Sequence, residues 1–412
     1  MAKQHPADRE ADRVLAIQRQ LAPRTRRGDI ILIALCALFI LIFAVGIYCI
    51  PHRSFSEVEN SSLQTFPRVS SSGKFLDRIW DGRFMAELKD FYTDQFPLRD
   101  SLVAARAKAE LLLGKGENND VLPGKDGYLI KRIEYSETQL AQLQENLDAV
   151  TAVRAAVDLP VAFALAPRGM DVLDRCFPPL YANDRGEAVW AVIDRYAAEH
   201  PLLSLREPLR ARADAGEAVW YRTDHHWTTL GAYYAYAELG SLCGFTPAPL
   251  DSFTVETAST EFLGTTYSAS GFYDTPTETM EFFRWTGDEA CTLEVLGGDK
   301  VISSFDGFYD RSYLEKKDKY AAFLSSNNGH VRIRDTQNAD KPTMLLIKDS
   351  FAHSVVPFLA QHFNLEILDL RYYRSTTAAF LAENEVDSVL ILCGLDSMAT
   401  SNLLESLPVG ME

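Results

Sequence analysis

Leu346-Ile-Lys-Asp-Ser-Phe-Ala-His353, entered through Thr343-Met-Leu, is an apolar run that stops at Asp349-Ser350 and continues as a helical stretch. A short run that is apolar at successive positions, not at alternate ones, suits a strand buried on both faces. Leu159 to Pro167, Leu365 to Leu370 and Val386 to Leu392 read the same way. Between them, helical periodicity runs over residues 140–157, 187–200 and 228–242, with Thr228 or Thr229 as the N-cap of the last. Buried strands alternating with helices predict an α/β domain, a parallel sheet with helices on both faces. Residues 250–340 break the rhythm with shorter runs rich in Thr, Ser, Tyr, Phe and Gly, expected to form a β- or loop-rich insertion.

Towards the N-terminus, Gly124-Lys-Asp-Gly127 punctuates a turn that leads into a short strand ending at Ile130. Residues 78–114 carry helical periodicity interrupted at Pro97, and the Ser-, Asn- and Pro-rich residues 51–75 read as a stalk. Ile30 to Ile50 has no charged side chain. At 1.5 Å per residue, about 20 residues cross a hydrocarbon core of ~30 Å. Arg24, Arg26 and Arg27 precede this run, and only His52 and Arg53 follow it closely, so the positive-inside bias puts the N-terminus in the cytoplasm and residues 51–412 outside. A cleaved signal peptide needs a shorter apolar core and a small-x-small site, and Ile47-Tyr-Cys-Ile-Pro51 offers neither. The expected division is a basic tail over 1–28, a transmembrane anchor over 29–50, a stalk and helical lead-in over 51–118, and an α/β domain over 119–412.

The net charge of −16 is uneven: residues 1–28 hold seven Lys/Arg against three acids, so the rest carries −20. A body this acidic repels phosphate backbones, which argues against nucleic acid as a partner, and its plainest role is solubility. Cys176, Cys243, Cys291 and Cys393 are far apart with no Cys-x-x-Cys pair, so no zinc site is expected, while disulfides outside the cell stay open.

Two segments carry candidate chemistry, Tyr221-Arg-Thr-Asp-His-His-Trp-Thr-Thr-Leu-Gly231 and the strand end at Ser350. Open α/β sheets bind ligands beyond the carboxyl ends of their strands. A serine there attacks only if a base takes its proton and an acid fixes that base's tautomer, and Asp224 and His226 supply both. The alternatives are a Ser350 that merely caps a helix, a polar loop at His225-His226, and a metal held by the pair with Asp224, although the spacing lacks the i,i+4 pattern of helical metal motifs.

Thr223-Asp-His-His-Trp-Thr228 and Lys348-Asp-Ser-Phe351 resemble the motif and nucleophile block of the DHHW family, SGNH hydrolase-like proteins similar to those of alginate O-acetylation. Further matches are Glu59-Asn60 with Leu63 and Pro67, Asp94-Gln-Phe-Pro-Leu-Arg99, Gly124 to Ile130, and Arg371-Tyr-Tyr373, an ordered set spanning about residues 55–395. The resemblance implies a three-layer α/β/α domain in which Asp224 orients, His226 is the base and Ser350 the nucleophile. It assigns no role to His225, which fills a position held by Thr in the alginate proteins. No Gly-x-Asn-Asp block is present, so further oxyanion donors are unassigned. The resemblance also implies O-acyl transfer, with no cofactor or metal, to an exported or wall polysaccharide, alongside a multi-span membrane O-acyltransferase that delivers the acyl group. A carbohydrate esterase with the same triad and a non-catalytic glycan-binding scaffold are the other readings.

Overall fold

The computed structural model describes residues 26–68, 73–178, 181, 186–404 and 407. The basic tail expected over 1–28 lies outside the described residues up to residue 25. Helix α1 (Arg26–Cys49) contains the apolar run. Most of its Ile, Leu and Phe side chains are exposed around the helix, Phe43 and Ile47 excepted, which suits lipid and not a protein core. One helix of this length and composition fits a single-pass membrane anchor.

The chain separates into two compact units, residues 1–56 with 61–103, and residues 57–60 with 104–412. In the first, Phe55–Ser56 pairs antiparallel with Ser61–Ser62, and Leu63 and Phe91 are buried. Gln95 holds Arg53 from both sides, accepting from its N–H at 3.0 Å and donating to its carbonyl at 2.8 Å. The segment expected as one helix broken at Pro97 is broken earlier too: Gly73–Trp80 and Arg83–Asp94 are separated by Gly82, whose φ of 80° is open to glycine at little cost.

The second unit is built on an eight-stranded sheet. Its strands are β1 (Val161–Ala166), β2 (Leu203–Ser204), β3 (Cys291–Gly297), β4 (Lys300–Asp306), β5 (His330–Asp335), β6 (Thr343–Lys348), β7 (Asn364–Leu368) and β8 (Ser388–Gly394). The spatial order is β4-β3-β5-β7-β6-β8-β1-β2. The five strands from β7 to β2 are parallel, four of them as the doubly apolar runs predict, while the two-residue β2 comes from no such run. The three on the other side are antiparallel, and all come from residues 291–335. The expected insertion is therefore partly an extension of the sheet. Its strands alternate apolar and polar positions because they bury one face more than the other. Residues Thr254–Phe262 and Glu278–Arg284 form a separate antiparallel hairpin.

Alternate side chains of the parallel strands feed two cores, one on each face. Ala164, Leu346 and Leu390 enter one, and Phe163, Leu345 and Ile391 the other. Helices α2 (Glu137–Ala156) and α3 (Glu187–Glu199) cover the second core with Leu147, Val150 and Ile193, and α4 (Thr229–Cys243) covers the first with Ala235, Tyr236 and Leu239. The result is the three-layer SGNH-like arrangement that the resemblance implies. All six cysteines are free thiols, so the disulfides left open by the sequence are not formed.

Candidate active site

Strand β6 delivers Lys348, Asp349 and Ser350 to the C-terminal edge of the sheet. Ser350 opens a tight 3₁₀ turn (Ser350–Ser354), shorter than the helix the sequence suggests. Asp349 caps it, taking the Phe351 N–H on one oxygen at 3.0 Å and the Gly394 N–H on the other at 2.7 Å. The Ser350 turn is thus tied to the end of the neighbouring strand β8. The Phe351 N–H is consumed by this cap and is not open to an oxyanion.

The Asp224-x-His226 spacing folds on itself. Asp224 Oδ1 accepts the backbone N–H of His226 at 2.9 Å, an Asx turn, and also meets His226 Nδ1 at 2.6 Å. His226 Nε2 lies 2.8 Å from Ser350 Oγ. The three residues named from the sequence are therefore brought together, with Asp224 and His226 buried and Ser350 partly exposed. Burial works to raise the Asp224 carboxyl, but His225, His226 and the Thr265 N–H outweigh it and hold the group well below the ordinary carboxylate range. His225 turns to another partner, its Nδ1 lying 2.5 Å from Thr265 Oγ1, with its side chain 39% exposed. Asp224, His225 and His226 are close enough for a shared cation. Both oxygens of Asp224 and both ring nitrogens of His226 are, however, spent on the hydrogen bonds of the chain.

Trp227, next in the motif, is fully buried and donates its indole N–H to Ser354 Oγ at 3.0 Å, joining the motif to the turn that Ser350 opens. Thr228 caps α4 by accepting the Gly231 N–H, which fixes where the motif ends and the helix begins.

Residues 250–340 supply supports that sequence reasoning missed. Thr265 gives Asp224 Oδ2 two hydrogen bonds, from N–H at 2.7 Å and from Oγ1 at 3.0 Å. Glu278 receives the N–H groups of Arg222 and Thr223. Tyr320 stacks flat on His226 with centroids 3.9 Å apart, and its hydroxyl donates to the Ser350 carbonyl at 3.2 Å. None belongs to a motif, and each is recruited from a segment whose placement is set by tertiary structure. Behind Ser350, the buried Lys348 ammonium donates to His353 Nε2 at 2.7 Å and pairs with Asp369 at 3.1 Å, and Arg371 grips the same carboxylate. Burial, then the Lys348 charge, keeps His353 well below its usual pKa, so its ring is neutral and free to accept that bond.

Gly264 marks how closely the supporting loop approaches. A Cβ there would lie 2.2 Å from Asp224 Oδ2 and 2.3 Å from its Cβ. Gly264→Ala should therefore push Asp224 out of line, lowering esterase or transferase rate by about 10²-fold and stability by about 1–3 kcal/mol. Rate assays with a thermal melt check both, and unchanged kinetics would show that Asp224 need not sit where it does.

Residues 205–368, which contain Asp224, His226 and Ser350, match the family described as DHHW protein. The chain is DHHW-like. Residues 121–268 also match the model of the SGNH hydrolase-like domain of the acetyltransferase AlgX. A probable alginate O-acetylase AlgJ of Pseudomonas syringae pv. tomato is 25% identical over 193 residues, 44% of this chain. The match spans about half, 47%, of that relative's length. Among solved structures, a DHHW family protein from Eubacterium siraeum superposes with a TM-score of 0.55 at 19% identity, covering 71% of this chain and 96% of that one. Bacillus cereus PatB1 bearing a sulfonyl adduct gives 0.56 at 17% identity, covering 70% and 99%. These two likenesses show the fold of the second unit.

Proposed function

We propose that this protein is a cell-surface O-acyltransferase that moves an acetyl group to an exported or wall polysaccharide through Ser350, His226 and Asp224. The observation that carries this is the two-bond chain from Asp224 to His226 to Ser350, with the serine left partly open to solvent. His226 takes the Ser350 proton as Oγ attacks the donor carbonyl, and Asp224 holds the imidazole with Nδ1–H towards itself, so that Nε2 is the free base. The same imidazole returns the proton to the leaving group. Acyl-Ser350 then passes its acyl group to a sugar hydroxyl. The AlgX-type match and the AlgJ relative favour acetyl and polysaccharide over other acyl groups and acceptors. An esterase shares the first half-reaction and differs only in using water as the final acceptor. With a chromogenic acetyl ester, the transferase releases phenolate slowly and faster once glycan is present; rapid release indifferent to glycan identifies an esterase, and no release a scaffold.

The proposed setting is the outer face of the membrane, with the basic residues before α1 in the cytoplasm and the DHHW-like unit outside. A multi-span O-acyltransferase is the proposed partner, and the anchor raises its effective concentration around Ser350. Protease added to intact cells should degrade the bulk of the chain and leave a short N-terminal fragment. Full protection of the outer unit overturns the orientation.

A further inference from the structure

Beside the triad lies a cleft that no step above uses. Asp224, His225 and Phe351 line one side of a narrow cavity whose other walls include Lys131, Ile133 and Asp396. Those last three residues also border an open groove of about 390 Å³, which continues past Asp120, Glu134 and Thr400. The narrow cavity at the triad and the groove thus share a wall.

Asp396 reaches this wall from helix α5 (Leu395–Thr400), which follows β8 directly, so the sheet presents it at the same C-terminal edge as Ser350. Its Oδ1 accepts from the Tyr135 hydroxyl, and among the described residues its Oδ2 has no hydrogen-bond donor. Tyr135 is itself held: the Arg168 guanidinium lies 5.2 Å over its ring and is fixed in turn by a two-pronged bond to Asp171 at 2.8 and 2.7 Å. Burial raises the Asp396 carboxyl above its ordinary range, with Tyr135 and Arg168 opposing that shift. The site is therefore a carboxyl group that lines the cleft with one oxygen anchored by Tyr135, next to the exposed ammonium of Lys131.

One open acceptor beside one open donor suits the hydroxyls of a sugar. The charges choose which sugar. Asp120, Glu134 and Asp396 stand along the groove with Lys131, and Arg132 is shared between Glu117 and Glu134, so acids outnumber bases at this lining and disfavour carboxylate-bearing sugars.

We infer that Asp396 and Lys131 form the acceptor subsite of the reaction, which holds a neutral sugar with one hydroxyl directed at acyl-Ser350. This rests on the acyl-transfer reading. The sugar oxygen bonds to the acyl carbon as the bond from that carbon to Ser350 Oγ breaks. The hydroxyl proton passes to His226 Nε2 and from there to Ser350 Oγ, which restores the starting state with nothing else consumed.

The test uses the full chain in detergent with 4-nitrophenyl acetate as donor, and cellotetraose, chitotetraose and tetragalacturonate as acceptors. The neutral saccharides should accelerate turnover and tetragalacturonate should not. Asp396→Asn should raise the half-saturating concentration of the neutral saccharide about tenfold or more, the loss of a charge-assisted hydrogen bond, with a far smaller effect on the 4-nitrophenolate burst. Lys131→Ala, at an exposed position, should act in the same direction and keeps the test open if the first variant folds poorly. Equal stimulation in wild type and both variants overturns the subsite, as does stimulation by tetragalacturonate, or none by either neutral saccharide, in an enzyme that shows a burst. A wild type without a burst sinks the acyl-transfer reading itself, and the subsite with it.

Discussion

Ser350→Ala should abolish acyl-enzyme formation and lower turnover by about 10⁴–10⁶-fold, while the protein keeps its fold. The serine side chain makes one described hydrogen bond, to His226, and the turn it opens is held by Asp349 through Phe351 and Gly394. Removing Oγ therefore deletes the nucleophile and leaves the loop anchored. Circular dichroism and a thermal melt beside the rate assay separate the two effects. His226→Ala should cost nearly as much, and the double variant scarcely more than either, because nucleophile and base act in one step. If the two losses multiplied, the residues would be acting independently.

Asp224→Asn should reduce the rate by about 10⁴-fold through the imidazole, not through lost structure. An amide can present N–H where the carboxylate now accepts, which turns the His226 ring to the tautomer with Nδ1 unprotonated and Nε2–H facing Ser350. Oδ2 matters as well, since it receives two bonds from Thr265, so a modest fall in melting temperature accompanies the kinetic loss. His225→Ala is the control for a metal: it removes a ring bonded to Thr265 and should be mild, whereas a loss equal to that of Asp224→Asn, recovered by added cation, would mean that the three residues form a metal centre.

Much of this site is written in local sequence, for a physical reason. The Asx turn that joins Asp224 to His226 spans two residues, and the strand that carries Ser350 announces itself as an apolar run ending in a cap. The four central parallel strands are legible because burial on both faces removes polar residues from successive positions, as in β8, where Val389 to Gly394 are all buried. The antiparallel strands β3 to β5 are harder to place. Their alternation fits any half-buried strand, and nothing local in Cys291 to Asp335 states that β5 pairs with β7. Thr265, Glu278 and Tyr320 escape for a related reason. They reach Asp224, His226, Ser350 and their neighbours from 30 or more residues away in sequence, and an ordinary Thr, Glu or Tyr in a loop carries no spacing that betrays the contact. A stacked Tyr320 in particular follows only from knowing where the two 3₁₀ turns of that loop lie.

Intact-protein and peptide mass spectrometry after brief incubation with an activated acetyl ester tests the covalent route most directly. A single added acetyl group on the peptide containing Ser350, lost on adding the acceptor glycan and absent from Ser350→Ala, is the predicted result. Glycan acetylated to full extent by Ser350→Ala, with no adduct in the wild type, would contradict it.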